Sequence, residues 1–295
     1  MNSGKQVCTC PRPGTSPKRP SNWSVTPSAP RTRLPSSLME SSYIGKHAEY
    51  YNIFYQDKAY AQEAAFVHAC LQRFGDGATT RVLELACGTG RHAFELEKLD
   101  YELIATDYSP DMLASATQSA EASGSRVEFR QADMRDFAIP EAPFDAVVCL
   151  FDSIGYVQTN EAIADVLANV HKHLRPGGLF VFEFWHAAAM LNGFDPLRVK
   201  RWPIDGGELL RISETELEPD KQLAYVTYTI YDLQDSGSYT QLSETQTNRY
   251  FLKGEMQHWL ETADLQPLAW FNGFQDDENI DQDTWHIVAV ARRGE

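Results

Sequence analysis

The densest run of chemistry-capable residues is Leu83–His92, LELACGTGRH, in which Gly88 and Gly90 flank Thr89 just after an apolar stretch. Glycines so spaced let a backbone turn sharply and approach a ligand closely. A nucleoside-triphosphate loop would need Lys and then Ser or Thr after its last glycine, and Arg91-His92 stands there instead. Gly88-x-Gly90-x-x-Ala93 fits the dinucleotide-binding turn, and Asp107 lies about 20 residues beyond, where a ribose-binding acid belongs. Taken alone, this pattern leaves NAD and other adenosine cofactors open.

Two further carboxylates narrow the choice. Glu84, just before the turn, suits a ligand's ammonium and would repel a pyrophosphate. Asp133-Met134 offers an acceptor for an adenine amino group beside an apolar flank for the ring. A ligand with an amino-acid end, a ribose diol and an adenine meets all three positions. S-adenosylmethionine is such a ligand.

These residues need a scaffold, and the apolar periodicity supplies one. Tyr43 to Phe74 reads as one helix, ended by Gly75-Asp76-Gly77. Strands then alternate with helices: strand 81–86, helix 90–99, strand 102–106, a helix capped by Ser109, strands 126–131 and 144–150, helix 160–174, and strand 179–185 after Pro176-Gly177-Gly178. Such alternation implies a parallel sheet with helices on both faces. It places Glu183 and His186 at the carboxyl end of the fifth strand, where open α/β sheets hold ligands and where either side chain could take a proton. Residues 208–218, 223–233 and 238–251 then show β alternation with an Asp235-Ser236-Gly237 turn, an inserted antiparallel layer within about 187–251. A helix over 253–263 and strands over 267–274 and 285–292 return to the parent sheet, making seven strands in a Rossmann-like, mostly parallel α/β fold.

In order and spacing, five blocks resemble the class I S-adenosylmethionine-dependent methyltransferases: VLELACGTG (82–90), TDYSPDML (106–113), QADM (131–134), FDAVV (144–148) and LRPGG (174–178). The resemblance implies that the backbone at Ala86, Gly88 and Gly90 lies against the methionine part of the cofactor. It gives Asp107 the ribose hydroxyls, Asp133 and Met134 the adenine, and Leu150 and Phe151 the cavity wall. Tyr108 and Met112 belong to the same cofactor-binding block, although Met112 also reads as helix core.

A subgroup is similar in looser ways. HAEYYNIFY (47–55), the Tyr60-Ala61-x-Glu63-Ala64 segment, FDSIGY (151–156) and FEFW (182–185) are similar to sugar N-methyltransferases that dimethylate nucleotide-linked amino sugars. That similarity implies Tyr55 at the methyl-transfer site, with Tyr51 and Tyr60 near the cofactor. Aromatic faces favour a sulfonium or ammonium cation. The expected function is N-methylation of a small-molecule amine such as an amino sugar. Its rivals are an RNA or protein methyltransferase, a non-catalytic S-adenosylmethionine-binding module and, more distantly, a dehydrogenase. Leu150-Phe151-Asp152-Ser153 replaces the Asn-Pro-Pro-Tyr that many adenine or glutamine N-methyltransferases carry after the fourth strand.

Composition frames these choices. The formal net charge is -15, and the first 38 residues hold six basic residues and no acid, so the remainder is more acidic still. Such a body lacks the basic footprint of a nucleic-acid binder. Residues 1–38, rich in Pro, Ser and Arg, read as a disordered tail ahead of a methyltransferase domain at 39–295; a misplaced start at Met39 explains the tail better than organelle targeting does. Five cysteines without regular spacing make neither a disulfide framework nor a metal site, and suit a cytoplasmic protein. No apolar run is long enough to cross a bilayer. The inserted layer is expected to shape the acceptor pocket or to form a homodimer contact.

Overall fold

A computed structural model describes residues 46–77 and 79–294 of the chain, so the expected tail lies outside the described residues. The elements, in order, are α1 (Lys46–Phe54), α2 (Tyr60–Phe74), β1 (Arg81–Leu85), α3 (Arg91–Glu97), β2 (Glu102–Asp107), α4 (Pro110–Ser123), β3 (Glu128–Gln131), β4 (Phe144–Cys149), α5 (Asn160–His173) and β5 (Leu174–Trp185). Then follow α6 (Ala187–Gly193), β6 (Leu197–Ile204), β7 (Gly207–Glu218), β8 (Leu223–Gln234), β9 (Tyr239–Arg249), α7 (Lys253–Thr262), β10 (Leu265–Asn272) and β11 (His286–Arg293).

Seven strands form one sheet in the order β10-β11-β5-β4-β1-β2-β3, with β11 antiparallel to both β5 and β10 and the other neighbours parallel. Period-2 alternation gives each central strand two apolar faces. Leu83, Leu85, Val147 and Phe182 pack with α5 and α7, and Val82, Ala146, Val148 and Val181 pack with α2 and α3. From β1 the chain builds outward through β2 to β3, then returns to lay β4 on the other side of β1. That reversal opens a crevice beyond the carboxyl ends of β1 and β4, where α/β sheets bind ligands.

The inserted layer is a four-stranded antiparallel sheet, β6-β7-β8-β9. It includes one strand, β6, and is preceded by one helix, α6, that periodicity did not reveal. Leu197 and Val199 are exposed, and Pro203 interrupts the run, so β6 lacks the apolar alternation that would announce it. The expected single entry helix is two helices. After Phe54 the chain turns, with Lys58 N donating to Tyr55 O at 3.1 Å, before α2 begins at Tyr60. The Gln56-Asp57-Lys58 run is polar and carries no strong breaker, so apolar recurrence on either side masked the break. The start of β5 also moves: Pro176-Gly177-Gly178 lies inside a strand running from Leu174.

Candidate active site

The glycine turn follows β1 directly. Ala86 has φ 54°, an uncommon conformation for a residue with a Cβ, held by Cys87 N donating to Thr106 O at 2.9 Å. Gly88 N donates to Asp107 Oδ2 at 2.7 Å, and Ser109 N donates to Asp107 Oδ1 at 2.8 Å. Asp107 is thereby fixed at the end of β2, facing the turn. Burial raises its pKa although these backbone donors oppose the rise. Glu84 is fully enclosed, and its Oε2 has no hydrogen-bond partner among the described residues. Burial, reinforced by the Asp107 charge, pushes Glu84 up to about 8.

A cavity of about 290 Å³, measured with its open mouth, lies over this turn. It is lined by Ala86, Cys87 and Thr89 of the turn, Arg91 and His92 of α3, Tyr51 and Tyr60, and Leu150, Phe151 and Ser153 after β4. Thr89 Oγ1 donates to Asn52 Oδ1 at 2.8 Å, which ties α1 to the glycine turn. His92 Nε2 and Glu63 Oε2 lie 2.7 Å apart, and Lys58 pairs with the same carboxylate. Burial works against the Glu63 charge, but these partners hold its pKa below the ordinary value. Tyr60, under burial, rises to about 12, and Tyr51 rises well above its ordinary range.

The residues fit S-adenosylmethionine. An unsatisfied buried carboxylate oxygen beside the turn is an acceptor awaiting a cation. At Gly88 an added Cβ would meet only Tyr51 Oη, at 3.9 Å, so the backbone faces open space that a ligand can approach. Gly90 is different from expectation. Its φ is +77°, and a Cβ would lie 2.7 Å from the Phe129 ring, so protein packing by itself requires a glycine here.

Placement of the remaining expected residues is mixed. Leu150 and Phe151 line the cavity with Tyr51 and Tyr60. Phe151 and Asp152 both have positive φ, 56° and 55°, in a turn clamped by Phe151 N donating to Glu183 Oε2 at 2.7 Å. Tyr55 meets the Phe151 ring edge-on at 5.0 Å and the Tyr51 ring at 4.8 Å, so it extends the aromatic wall. Met112 is buried against Ala48 and Tyr51, under α1, which is a core position. Tyr108 is half exposed. Asp133, expected to be open to an adenine amino group, is gripped by Arg135 through Nε at 2.9 Å and through its backbone N–H at 2.9 Å; these hold its pKa below the ordinary value. Met134 packs on the sheet's core. His186 is buried, with Nδ1 3.1 Å from Thr284 O, and is not among the residues that wall the cavity.

His286 is the residue that sequence reasoning passed over. It opens β11, and because β11 runs antiparallel its first residue reaches the carboxyl rim beside Trp185. Its Nδ1 lies 2.9 Å from Asp152 Oδ2 and 3.2 Å from Glu183 Oε1. Burial opposes the imidazolium, but the two carboxylates outweigh it and raise His286 to about 11. Burial and the Asp152 charge raise Glu183. One oxygen from each acid and one ring nitrogen lie within 4.8 Å, a donor set able to hold a cation; here the imidazolium itself fills that role.

A methyltransferase-domain profile matches residues 82–178. The chain is 33% identical over 193 residues to the dTDP-3-amino-3,4,6-trideoxy-alpha-D-glucopyranose N,N-dimethyltransferase of Streptomyces venezuelae, covering 64% of this chain and 78% of that one. It is 29% identical to the dTDP-3-amino-3,6-dideoxy-alpha-D-glucopyranose N,N-dimethyltransferase of Streptomyces fradiae, covering 65% and 73%. The crystal structure of Streptomyces venezuelae DesVI superposes with a TM-score of 0.69 at 25% identity, over 84% of this chain and 99% of that one.

Proposed function

The chain belongs to the S-adenosylmethionine-dependent methyltransferases, and on that premise we propose that it N-methylates the amine of a nucleotide-linked amino sugar. The observation that carries this reading is the cluster of the Tyr51, Tyr55 and Phe151 rings, of which Tyr51 and Phe151 line the cavity over the glycine turn. The dTDP-amino sugar relatives support the acceptor class.

Bound S-adenosylmethionine supplies an electrophilic methyl group on a sulfonium. Glu84 takes the ligand's ammonium and Asp107 its ribose hydroxyls. Leu150 and Phe151 exclude water from one side. Tyr55 orients the acceptor nitrogen, its hydroxyl accepting from the amine N–H. His286, held as an imidazolium between Asp152 and Glu183, is a poor base. The amine gives up its proton to solvent before it enters, and alignment then provides most of the rate.

A cytoplasmic setting accords with Cys70, Cys87 and Cys149 being free and buried. A second copy would pack on the four-stranded sheet, where Leu197, Val199 and Tyr239 are exposed. The test of the acceptor site is Tyr55→Phe. It should lower kcat/KM for a dTDP-amino sugar about tenfold or more while leaving S-adenosylhomocysteine affinity unchanged. Equal losses in both would make Tyr55 a packing residue.

A further inference from the structure

The inner face of β7 presents Leu209, Arg211, Ser213 and Thr215, all buried. Arg211 is 8% exposed and sits among four rings: Phe54 at 4.7 Å, Trp202 at 5.0 Å, Tyr228 at 5.1 Å and Tyr55 at 5.6 Å. Among the described residues no carboxylate pairs with it, and its Nε lacks a hydrogen-bond partner. The nearest acids on the same sheet face are engaged elsewhere. Asp232 accepts from Tyr50 Oη at 2.7 Å, and Glu244 accepts from Gln246 Nε2 at 3.1 Å.

A guanidinium cannot shed its proton to escape burial. Ring faces offset part of its desolvation, by about 2 kcal/mol in a dry site. An unpaired buried charge costs several kcal/mol, so the remainder calls for an anion that none of the described residues provides. The guanidinium fork suits a phosphoryl group, which it can bind through two parallel hydrogen bonds.

Its position fits the acceptor. Tyr55 touches both Arg211 and Phe151, so Arg211 stands one aromatic ring behind the cavity wall. In a nucleotide-linked amino sugar, one sugar ring separates the amine from the phosphate. Arg198 of β6 adds a second positive charge beside Tyr228.

We propose that Arg211 is the anion anchor of the acceptor site and takes a phosphoryl oxygen of the acceptor's diphosphate. The proposal rests on the amino sugar reading above and adds to it the residue that grips the nucleotide end.

The experiment titrates thymidine diphosphate, thymidine and glycine into the full chain, reading the heat of binding by calorimetry. R211Q and R211K are titrated alongside, with thermal melting and S-adenosylhomocysteine affinity as controls for folding. Thymidine diphosphate should bind wild type and weaken at least tenfold in R211Q, with R211K between the two and thymidine binding equally in all three. Equal thymidine diphosphate affinity in wild type and R211Q overturns the anchor and leaves the acceptor reading standing. Glycine binding that depends on Arg211, with no thymidine diphosphate binding in wild type, overturns both. Should R211Q fail to fold, wild type and R211K decide: inorganic pyrophosphate at constant ionic strength must bind wild type more tightly than R211K in the same calorimeter, and no binding to wild type overturns the anchor.

Discussion

At the residue scale the account turns on Glu84. Its raised pKa means that the folded chain favours the protonated acid. The corresponding contribution to stability is full below about pH 4.5 and is lost as pH rises through about 8. Glu84→Gln should remove that slope, so its thermal melting should depend less on pH than that of wild type across this window. A ligand ammonium at the turn reverses the preference, because it stabilises the carboxylate. S-adenosylhomocysteine affinity should therefore rise with pH toward 8 in wild type and stay flat in E84Q; parallel profiles in calorimetry would mean that Glu84 does not meet the ligand. Glu84 and Asp107 were legible as positions, because the strand pattern sets one beside the glycine turn and the other at the end of the next strand, where Gly88 N reaches it. Asp133 was legible only as a position, since nothing in Gln131–Met134 reveals that Arg135 folds back on its carboxylate. His286 was illegible for a topological reason: its importance depends on β11 running antiparallel to β5.

At the element scale, the sharp turns after β1 and β4 set the site. Gly90→Ala combines a left-handed φ with a contact on the Phe129 ring and should cost about 2 kcal/mol or more in denaturant unfolding. In a Phe129→Ala background the clash is gone, and the added cost should fall toward the roughly 1 kcal/mol of the backbone conformation alone. An undiminished cost would place the strain elsewhere. The turn after β4 depends on Glu183, whose oxygen satisfies Phe151 N. Glu183→Ala leaves that N–H unpaired and His286 short of one carboxylate, and should destabilise by about 1–3 kcal/mol in the same assay. Apolar alternation announced the parallel strands and the cap at Ser109, whose Oγ accepts from Met112 N at 3.3 Å. The break between α1 and α2 escaped it, because tertiary contacts of Tyr55 and Tyr60, rather than a breaker residue, decide where the chain turns.

At the scale of the whole molecule, an acidic seven-stranded domain carries a four-stranded sheet whose inner face is unusually polar. The parent fold could be read from motif order. The role of the added sheet could not, because alternation reports which side chains share a face but not that this face packs on α1. The net charge of -15 opposes a phosphate backbone, so bulk tRNA should neither bind at physiological salt nor become methylated. The central claim is the acceptor class, and the most direct measurement offers labelled S-adenosylmethionine with dTDP-amino sugars, glycine and tRNA in parallel. Label should appear on the sugar amine nitrogen, with kcat/KM at least tenfold above that for glycine and none in tRNA. Label preferring glycine or tRNA, or no transfer to any dTDP-amino sugar, would contradict it.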